Sequence, residues 1–323
     1  MCMKIIGTGS AHPKQVVTNE MLSTFLETND EWIRSRTGIQ ERRVISSEKL
    51  EDLAAEAMNK ALASAKLTAR DIDYIICSNV VNEYITPGLG CVLQGMIGAT
   101  CPTIDVNGAC AGFLYGLDIA DAFFKSGRVK NVLVVAAEEP SRMMDWTDRG
   151  TCVLFGDGAG AVVLTEGDNF ESFSLTNTSM PEALYQRHKL QYTPYVNKEE
   201  HDHAVIMNGQ DVFKMAVRGS IRDLNRVMQA AGVTPDQVDH YLLHQANIRI
   251  IDTIREYMKQ GWEKFPHFIE KYGNTSSSSI PMLLDEMARE GKIKDGDRIA
   301  MSAFGAGFTT AACLLKWSEI KYE

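Results

Sequence analysis

One cysteine, Cys110, lies in a local sequence that favours a nucleophile. Gly108 and Gly112 flank it at two residues on either side, and such small neighbours allow the tight turn of a nucleophile elbow. The preceding run Thr103–Val106 predicts a short apolar strand, and the following run predicts a helix that ends at Gly127. A thiol at a helix N-terminus is expected to have a lowered pKa. The pattern therefore predicts a reactive thiolate, although a buried structural cysteine also fits it.

Length and composition limit what else the chain can be. Its 323 residues are enough for two domain-sized cores, and its formal net charge of −9 argues against binding to nucleic acid or to a membrane surface. No stretch approaches the roughly 18 apolar residues of a spanning helix. The seven cysteines show no Cys-x-x-Cys spacing, which favours free thiols in a reducing compartment. We therefore expect a cytoplasmic protein without nucleic-acid or membrane partners.

The elements that must position Cys110 alternate between strands and helices. Apolar strands are predicted at residues 4–7, 73–77, 131–137 and 159–165, and a helix is predicted at residues 90–97. A further helix is predicted over Leu50–Ala65, with Ser46 or Ser47 as its N-cap. Continuous Val, Ile and Leu strands between helices indicate an α/β protein whose sheet is covered on both faces.

The second half of the chain repeats the first. The run that begins at Leu67 aligns without a gap on the run that begins at Val233, an offset of 166 residues, and Gly127-Arg-Val-Lys aligns on Gly291-Lys-Ile-Lys at an offset of 164. Phe155-Gly-Asp-Gly-Ala-Gly likewise resembles the later Phe304-Gly-Ala-Gly. Three matches in the same order indicate a duplicated unit. We expect two domains, residues 1–170 and 171–323, with residues 181–203 as a surface loop.

The duplication links Cys110 to two further polar residues. An offset of 164 carries Cys110 onto Asn274, and an offset of 166 carries Ser78 onto His244, which follows an apolar strand. If the halves pack about a pseudo-twofold axis, all three residues converge on one cleft. A thiol, an imidazole and an amide together suit acyl transfer.

Several motifs in fixed order then make the chain similar to a known family. They are Asp105-Val-Asn-Gly-Ala-Cys-Ala-Gly-Phe, Leu243-His-Gln-Ala-Asn-Ile-Arg, Gly273-Asn-Thr-Ser, Phe304-Gly-Ala-Gly-Phe, Thr28-Asn-Asp-Glu-Trp-Ile-Arg and Thr147-Asp-Arg-Gly. Over essentially its whole length the chain resembles the β-ketoacyl-[acyl-carrier-protein] synthase III family. The resemblance implies the thiolase fold, in which two duplicated five-stranded α/β halves form a layered αβαβα core, and it implies a homodimer.

The resemblance also implies the chemistry. Cys110 would take an acyl group from acyl-CoA, and malonyl-acyl-carrier protein would then lose carbon dioxide and attack that thioester, which initiates type II fatty acid synthesis. His244 and Asn274 would stabilise the enolate, and the backbone N–H groups of Cys110 and Ala306 would form the oxyanion hole. Ala306 stands where the family has a third glycine, so its φ must be negative. Acyl-CoA would be a substrate, so no cofactor and no metal are expected.

Binding residues follow from the same resemblance. Those expected to contact CoA are Thr28, Trp32, Arg36, Arg149, Gly209, Phe213 and Asn247, with the Trp32 ring stacking on adenine and Arg149 on the other face of the base. A basic patch for an acidic carrier protein would comprise Lys214, Arg249 and Arg255. Thr86 stands where the family closes the acyl pocket, partly across the dimer, and a residue this small leaves room for longer or branched primers.

Related chemistries remain as alternatives. A thiolase would carry a second cysteine near the last glycine-rich turn, whereas Cys313 lies inside the last predicted strand. A hydroxymethylglutaryl-CoA synthase would carry a glutamate base near Glu83, which is more typical of a surface loop. A specialised synthase of secondary metabolism and a non-catalytic acyl-binding partner subunit also stay open. The sequence His201-Asp-His203 lacks further ligands at metal-binding spacing and is expected to be a solvated loop.

Overall fold

The computed structural model describes residues 3–189, 194–195 and 202–322. Its strands are β1 (Met3–Ala11), β2 (Val16–Thr18), β3 (Glu41–Arg43), β4 (Tyr74–Ser78), β5 (Thr103–Val106), β6 (Asn131–Glu138), β7 (Gly158–Glu166), β8 (Phe170–Asn177), β9 (Leu184–Tyr185), β10 (Ile206–Met207), β11 (His240–Leu243), β12 (Arg298–Gly305) and β13 (Thr309–Lys316). Its α-helices are α1 (Asn19–Leu22), α2 (Asp30–Thr37), α3 (Leu50–Ala65), α4 (Leu89–Ile97), α5 (Gly112–Lys125), α6 (Gly209–Ala231), α7 (Ile248–Met258), α8 (Ile269–Tyr272) and α9 (Ser279–Arg289).

Two mixed sheets of matching topology form the core. The first has the order β1-β7-β6-β4-β5 and the second the order β8-β13-β12-β11. The pair β4–β6 of the first sheet and the pair β11–β12 of the second are parallel, and in each sheet the next two pairs are antiparallel. Because equivalent strands occur in the same order with the same directions, the structure confirms the internal duplication predicted from the sequence. The division into domains at residues 170 and 171 stays a prediction.

Helices cover both sheets and fill the space between them. Helices α3 and α4 pack on the outer face of the first sheet, α5 and α9 lie between the sheets, and α6 and α7 cover the second sheet. The apolar face of α3, which includes Leu53, Ala57 and Ala61, is fully or nearly fully buried, as its helical spacing predicts. These five layers are the predicted αβαβα core.

Polar contacts fix the central helix α9 on the first sheet. The buried carboxylate of Asp285 accepts hydrogen bonds from the hydroxyls of Thr8 and Ser10, both at 2.7 Å. Arg289, one turn later, donates to the same carboxylate at 2.7 Å and to the Thr8 carbonyl at 3.0 Å. A buried carboxylate needs such partners to offset its lost hydration. The second half of the chain is therefore anchored on β1, close to the segment that carries Asn274.

Two local expectations about the first half are corrected. The N-cap of α3 is Lys49 instead of Ser46 or Ser47, and its backbone N–H donates to the Asp52 carboxylate at 3.3 Å. Strand β5 is an edge strand with its Ile104 side chain exposed, and it is therefore not buried like the other strands of its sheet.

Two expectations about the second half are also corrected. Its sheet has four strands in the described residues instead of five, because the segment equivalent to β5 forms the short helix α8. The first half holds that segment, since the Gln40 N–H donates to the Glu270 carbonyl at 3.0 Å. The described part of residues 181–203 is more than a surface loop, because β9 from this stretch pairs with β10.

Candidate active site

Cys110, His244 and Asn274 line one cavity of about 640 Å³ at the junction of the two halves. The cysteine follows a strand of the first sheet, whereas the histidine and asparagine follow β11 and α8 of the second half. The cleft expected from the duplication is therefore present, and each side chain extends from the end of a regular element. Sites held in this way are better preorganised than sites on long loops.

Cys110 lies in a 3-10 turn, Ala109–Ala111, between β5 and α5. Ala109 has a φ of +49°, a conformation that non-glycine residues adopt rarely. A methyl group at Gly112 would collide with Ser78 Oγ, and one at Gly305 would lie 2.6 Å from the Cys110 backbone nitrogen. Both glycines are thus required for close packing around the nucleophile turn.

The Cys110 thiol is protonated at rest. Burial raises its pKa to about 12, and the negative charge of Glu138 raises the pKa further, whereas a hydrogen bond from the Ser276 hydroxyl lowers it. The Ser276 Oγ lies 3.4 Å from the Cys110 Sγ. The raised pKa goes against the expected resting thiolate, because loss of hydration disfavours the charged form. The thiol needs a base that takes its proton.

His244 meets that need because its imidazole is neutral. The ring follows β11, is almost fully buried, and has a pKa lowered by burial to about 3. Its Nδ1 lies 2.8 Å from the Ser279 Oγ, and the Phe304 ring packs edge-on at a centroid distance of 5.2 Å. A serine hydroxyl can donate to Nδ1 or accept from it. The pair therefore supports both tautomers, with Nε2 left for the cavity.

The amide of Asn274 is oriented by its neighbours. Its Oδ1 accepts a hydrogen bond from the Ser276 backbone N–H at 2.9 Å, so its Nδ2 is the group available as a donor to the cavity. The Asn274 backbone N–H donates to the Leu154 carbonyl at 2.9 Å, and its carbonyl accepts from the Gly156 N–H at 3.0 Å. These bonds join Asn274 to the first half beside Cys110.

The last glycine-rich turn borders the cavity beside the nucleophile. Ala306 lines the cavity, and it is absent from the described non-glycine residues with positive φ, as its methyl group requires. The Thr309 hydroxyl donates to the Gly108 carbonyl at 3.1 Å, which ties the turn to the segment before Cys110. The backbone of this turn and that of Cys110 are thus adjacent, where an oxyanion hole would lie.

The residues expected to bind CoA form two groups. Gly209, Phe213 and Asn247 line the cavity, whereas Trp32 and the other three lie outside its lining. Asn247 joins the groups, because its Nδ2 donates to the Arg36 carbonyl at 3.0 Å.

The outer group is built around an indole ring. The guanidinium carbons of Arg36 and Arg149 lie 4.6 Å and 5.2 Å from the Trp32 ring centroid. Arg36 thus packs on the ring, and its expected role in CoA binding stays a prediction. The buried Thr28 hydroxyl has no hydrogen-bond partner in the structure.

The predicted carrier-protein patch is only partly a free surface. Lys214 and Arg249 are exposed, and the Arg249 guanidinium lies 5.9 Å from the Phe213 ring centroid. The Arg255 side chain is 19% exposed and donates to Asp252 at 2.6 Å and 2.9 Å. Arg255 is therefore engaged within the protein, and its predicted role in the patch is weakened.

Thr86 lies on an exposed loop and does not line the cavity within one chain. The inner wall is instead made by apolar residues that sequence reasoning missed: Val80, Val81, Pro140, Met143, Met144, Leu154, Phe155 and Val205. The feature of the sequence that indicates this wall is the pair Met143-Met144, shortly before the Thr147 motif. Thr86 can contribute to the acyl pocket only if it reaches the cavity of a second subunit.

Sequence reasoning also missed the serines that support the catalytic groups. Ser276, Ser277, Ser278 and Ser279 are all buried, and an unbroken serine run directly after the Asn274 motif was the signal. A solvated loop has no need to bury four hydroxyls, whereas a polar site does.

The competing chemistries find no matching residues in the cavity. Glu83 lies outside the cavity lining and pairs with Arg142 at 3.4 Å. Cys313 is fully buried in β13. Over the described residues, no three His, Cys, Asp or Glu side chains group closely enough to hold a metal ion; His201 itself lies outside the described residues.

Comparison with known proteins places this geometry in a family. The family model described as 3-oxoacyl-[acyl-carrier-protein (ACP)] synthase III matches residues 104–180, and that of its C-terminal part matches residues 228–317. The β-ketoacyl-[acyl-carrier-protein] synthase III of Oceanobacillus iheyensis is 44% identical over 325 residues, which cover 99% of this chain and all of the relative. Where the structure is described, no helix has the length and apolar character needed to cross a membrane.

Solved structures agree with the sequence matches. The crystal structure of 3-oxoacyl-[acyl-carrier-protein] synthase III from Aquifex aeolicus VF5 is similar with a TM-score of 0.92 at 41% identity, covering 98% of this chain and 100% of that chain. The priming β-ketosynthase of the R1128 polyketide biosynthetic pathway is similar with a TM-score of 0.92 at 31% identity, covering 99% of this chain and 97% of that chain. The thiolase fold is thereby confirmed. The chain belongs to the β-ketoacyl-[acyl-carrier-protein] synthase III family.

Proposed function

We propose that this acyltransferase condenses an acyl-CoA primer with malonyl-acyl-carrier protein to give 3-oxoacyl-carrier protein, coenzyme A and carbon dioxide. The observation that carries the proposal is the convergence of Cys110, His244 and Asn274 on one cavity. This reaction would initiate type II fatty acid synthesis.

The first half-reaction transfers the acyl group to sulfur. The Cys110 Sγ attacks the thioester carbonyl of acyl-CoA while its proton passes to the neutral His244 Nε2. The oxygen that becomes negative is stabilised by the backbone N–H groups of Cys110 and Ala306. When the tetrahedral intermediate collapses, the C–S bond to CoA breaks, and the CoA sulfur leaves with the proton from His244.

The second half-reaction forms the carbon–carbon bond. The malonyl group loses carbon dioxide, and the released electron pair forms an enolate whose oxygen accepts hydrogen bonds from His244 Nε2–H and Asn274 Nδ2–H. The carbanion then attacks the acyl carbonyl on Cys110, the C–S bond breaks, and the 3-oxoacyl product stays on the carrier protein. The sulfur leaves as a thiolate and takes up a proton from solvent, which restores the resting thiol. Decarboxylation removes no carbon-bound proton, so the site needs donors more than it needs a strong base.

Substrate delivery is proposed for two surfaces of the chain. Adenine is expected to bind at Trp32 and Arg149, which lie outside the cavity lining. The pantetheine arm is then expected to pass Phe213 and Asn247, which line the cavity. Lys214 and Arg249 are expected to attract an acidic carrier protein on a chain of net charge −9.

One pair of variants separates the two surfaces. Trp32→Ala is expected to raise the KM for acyl-CoA about tenfold through lost stacking, with the KM for malonyl-carrier protein unchanged. Lys214→Glu is expected to raise the KM for malonyl-carrier protein about tenfold and to lose that effect at high salt. Steady-state kinetics with each substrate varied in turn measures both. Equal effects of either variant on both substrates would contradict the assignment.

A homodimer is proposed from the open edge of the first sheet. In the described part of the chain β5 pairs with β4 alone, and an unpaired edge is a template for a second strand. Nearby Ile85 is 89% exposed, and Tyr84 and Ile104 are also exposed. Pairing of two β5 strands about a twofold axis would cover this apolar surface and bring each Thr86 loop to the partner.

One experiment tests the condensation reaction, the choice of primer and the proposed dimer together. Acetyl-, isobutyryl- and octanoyl-CoA are each offered with malonyl-carrier protein, and the 3-oxoacyl product is measured by mass spectrometry. We expect condensation, with use of the branched primer, because the wall contains Met143 and Met144, which adapt their shape. Thr86→Phe should restrict the enzyme to acetyl-CoA. The variant should still sediment as a dimer, like the unmodified enzyme. No product from any primer would refute the proposed function, and strict acetyl use by the unmodified enzyme would refute the primer proposal.

A specialised role in secondary metabolism is the second candidate. It is favoured by the similarity to the R1128 priming ketosynthase at a TM-score of 0.92. The same primer panel distinguishes the two roles if it is run with carrier proteins of both pathway types. A non-catalytic acyl-binding subunit is disfavoured because such a subunit has no need of the nucleophile, whereas Cys110 stands in the cavity.

A further inference from the structure

A buried carboxyl group lies behind the nucleophile and has no place in the mechanism above. Glu138 is the last residue of β6 and is 1% exposed. It does not line the cavity, so it cannot touch a substrate there. Its Oε1 accepts from the Ser277 hydroxyl at 2.6 Å, and its Oε2 accepts from the Val80 N–H at 3.2 Å. Ser277 in turn accepts from the Ser78 hydroxyl at 2.9 Å.

One serine connects this carboxyl group to Cys110. The Ser276 hydroxyl donates to the Cys110 Sγ at 3.4 Å, and Ser276 directly precedes Ser277, whose hydroxyl donates to Glu138 at 2.6 Å. The Ser276 hydroxyl also lowers the pKa of Glu138. Ser276 has a φ of +54°, and its backbone N–H is held by the Asn274 Oδ1. The hydroxyl is therefore held at the sulfur, one residue away from the serine that contacts the carboxyl group.

The surroundings of Glu138 contain thiols and no described compensating cation. The charge of Glu138 raises the pKa of two thiols, that of Cys77 on β4 and that of Cys110 on the nucleophile turn. The other neighbours are the serines and the Val80 N–H, and among the described contacts no Lys, Arg or His pairs with the carboxyl group. Burial raises the pKa of Glu138 to about 7, so both charge states are populated near neutrality.

We propose that Glu138 is a positioning residue that controls the Cys110 thiol through Ser276 and Ser277. When the carboxyl group is neutral, the Ser276 proton is free to point at sulfur and stabilises the thiolate that forms during acyl transfer. When it is ionised, the carboxylate competes for that proton, and its charge opposes a second negative charge on sulfur. The inference extends the proposed function, because it assumes that Cys110 is the nucleophile.

The test measures the thiol itself and needs no acyl-CoA. The rate of Cys110 alkylation by iodoacetamide is followed from pH 5.5 to 9.5 by mass spectrometry of the Cys110 peptide. For a thiol without a titrating neighbour, the logarithm of the alkylation rate rises linearly with pH below the pKa of the thiol. For the unmodified enzyme we expect a downward bend near pH 7, where Glu138 ionises. Glu138→Gln, which keeps the shape and one of the two acceptor oxygens but removes the charge, should remove the bend and react about tenfold faster at pH 8.5.

A neighbouring residue supplies the matched control. The pKa of Glu139 is also raised to about 7, by burial and by the charge of Asp157, but Glu139 lies beside Arg142, away from the cavity. Glu139→Gln should therefore keep the bend. Ser277→Ala removes the 2.6 Å hydrogen bond to Glu138 and should move the bend upward by about one pH unit.

Each result decides the proposal. A bend that survives Glu138→Gln, a bend that disappears in Glu139→Gln, or one that does not move in Ser277→Ala would overturn it. Because alkylation is independent of condensation, loss of the proposed function would appear separately, as absent product with an unchanged alkylation profile.

Discussion

Replacing Cys110 by alanine is expected to reduce condensation on the order of 10⁴-fold or more, because no acyl-enzyme can form. The change removes a small side chain that already faces the cavity, so folding should be nearly unaffected. Product formation by the purified variant, with thermal unfolding measured in parallel, gives both quantities.

The matched control for this variant is a second free cysteine. Cys91 is an exposed free thiol on α4, and Cys91→Ala is expected to leave condensation within about twofold of the unmodified enzyme. If Cys110→Ala kept most of its activity, or if Cys91→Ala lost it, the nucleophile would have been assigned to the wrong sulfur.

Replacing Asn274 by alanine is expected to lower decarboxylative condensation by about 10²-fold to 10³-fold, the usual effect of removing one donor to a developing oxyanion. Its amide Nδ2 is the free donor, since Oδ1 is occupied by the Ser276 N–H. Acylation of Cys110 in the absence of malonyl-carrier protein should fall much less. His244→Ala should impair both steps, because its neutral imidazole takes the thiol proton first and donates to the enolate later.

Single-turnover acylation and full turnover, measured on the same preparations, separate these roles. Asn274→Asp is a useful companion variant, since it retains the volume but offers an acceptor where a donor is required. If Asn274→Ala slowed acylation and condensation to the same extent, the amide would act on the first step and the assignment of the enolate site would fail.

Much of this site could be predicted from the sequence, because the helices and turns that position its residues are determined by nearby residues in the chain. The helix over Leu50–Ala65 follows from apolar spacing alone, and its observed bounds agree with the prediction. The glycines around Cys110 indicated a tight turn, and the turn is present. His244 and Asn274 are far from Cys110 in the sequence. They could be found because the duplication maps them onto Ser78 and Cys110, which follow predicted strands of the first half.

What could not be predicted depends on tertiary contacts. The pKa of Cys110 is set by burial and by Glu138 on another strand, which a helix-terminus argument does not include. The segment equivalent to β5 forms α8 because the first half holds it there. Strand β9 pairs with β10 and lines the cavity, although β9 lies in a polar stretch whose composition indicated only a loop. Arg255 is predicted as part of a basic patch that the resemblance implies, but its pairing with Asp252 is visible only in three dimensions.

The measurement that tests the account most directly is a two-step labelling of the enzyme. The protein is mixed with a primer acyl-CoA alone and digested, and the peptide that contains Cys110 is weighed; malonyl-carrier protein is then added and the peptide is weighed again. The account predicts one acyl group on Cys110 after the first step and its disappearance into 3-oxoacyl-carrier protein after the second. An unlabelled Cys110, or a label that malonyl-carrier protein does not remove, would contradict it.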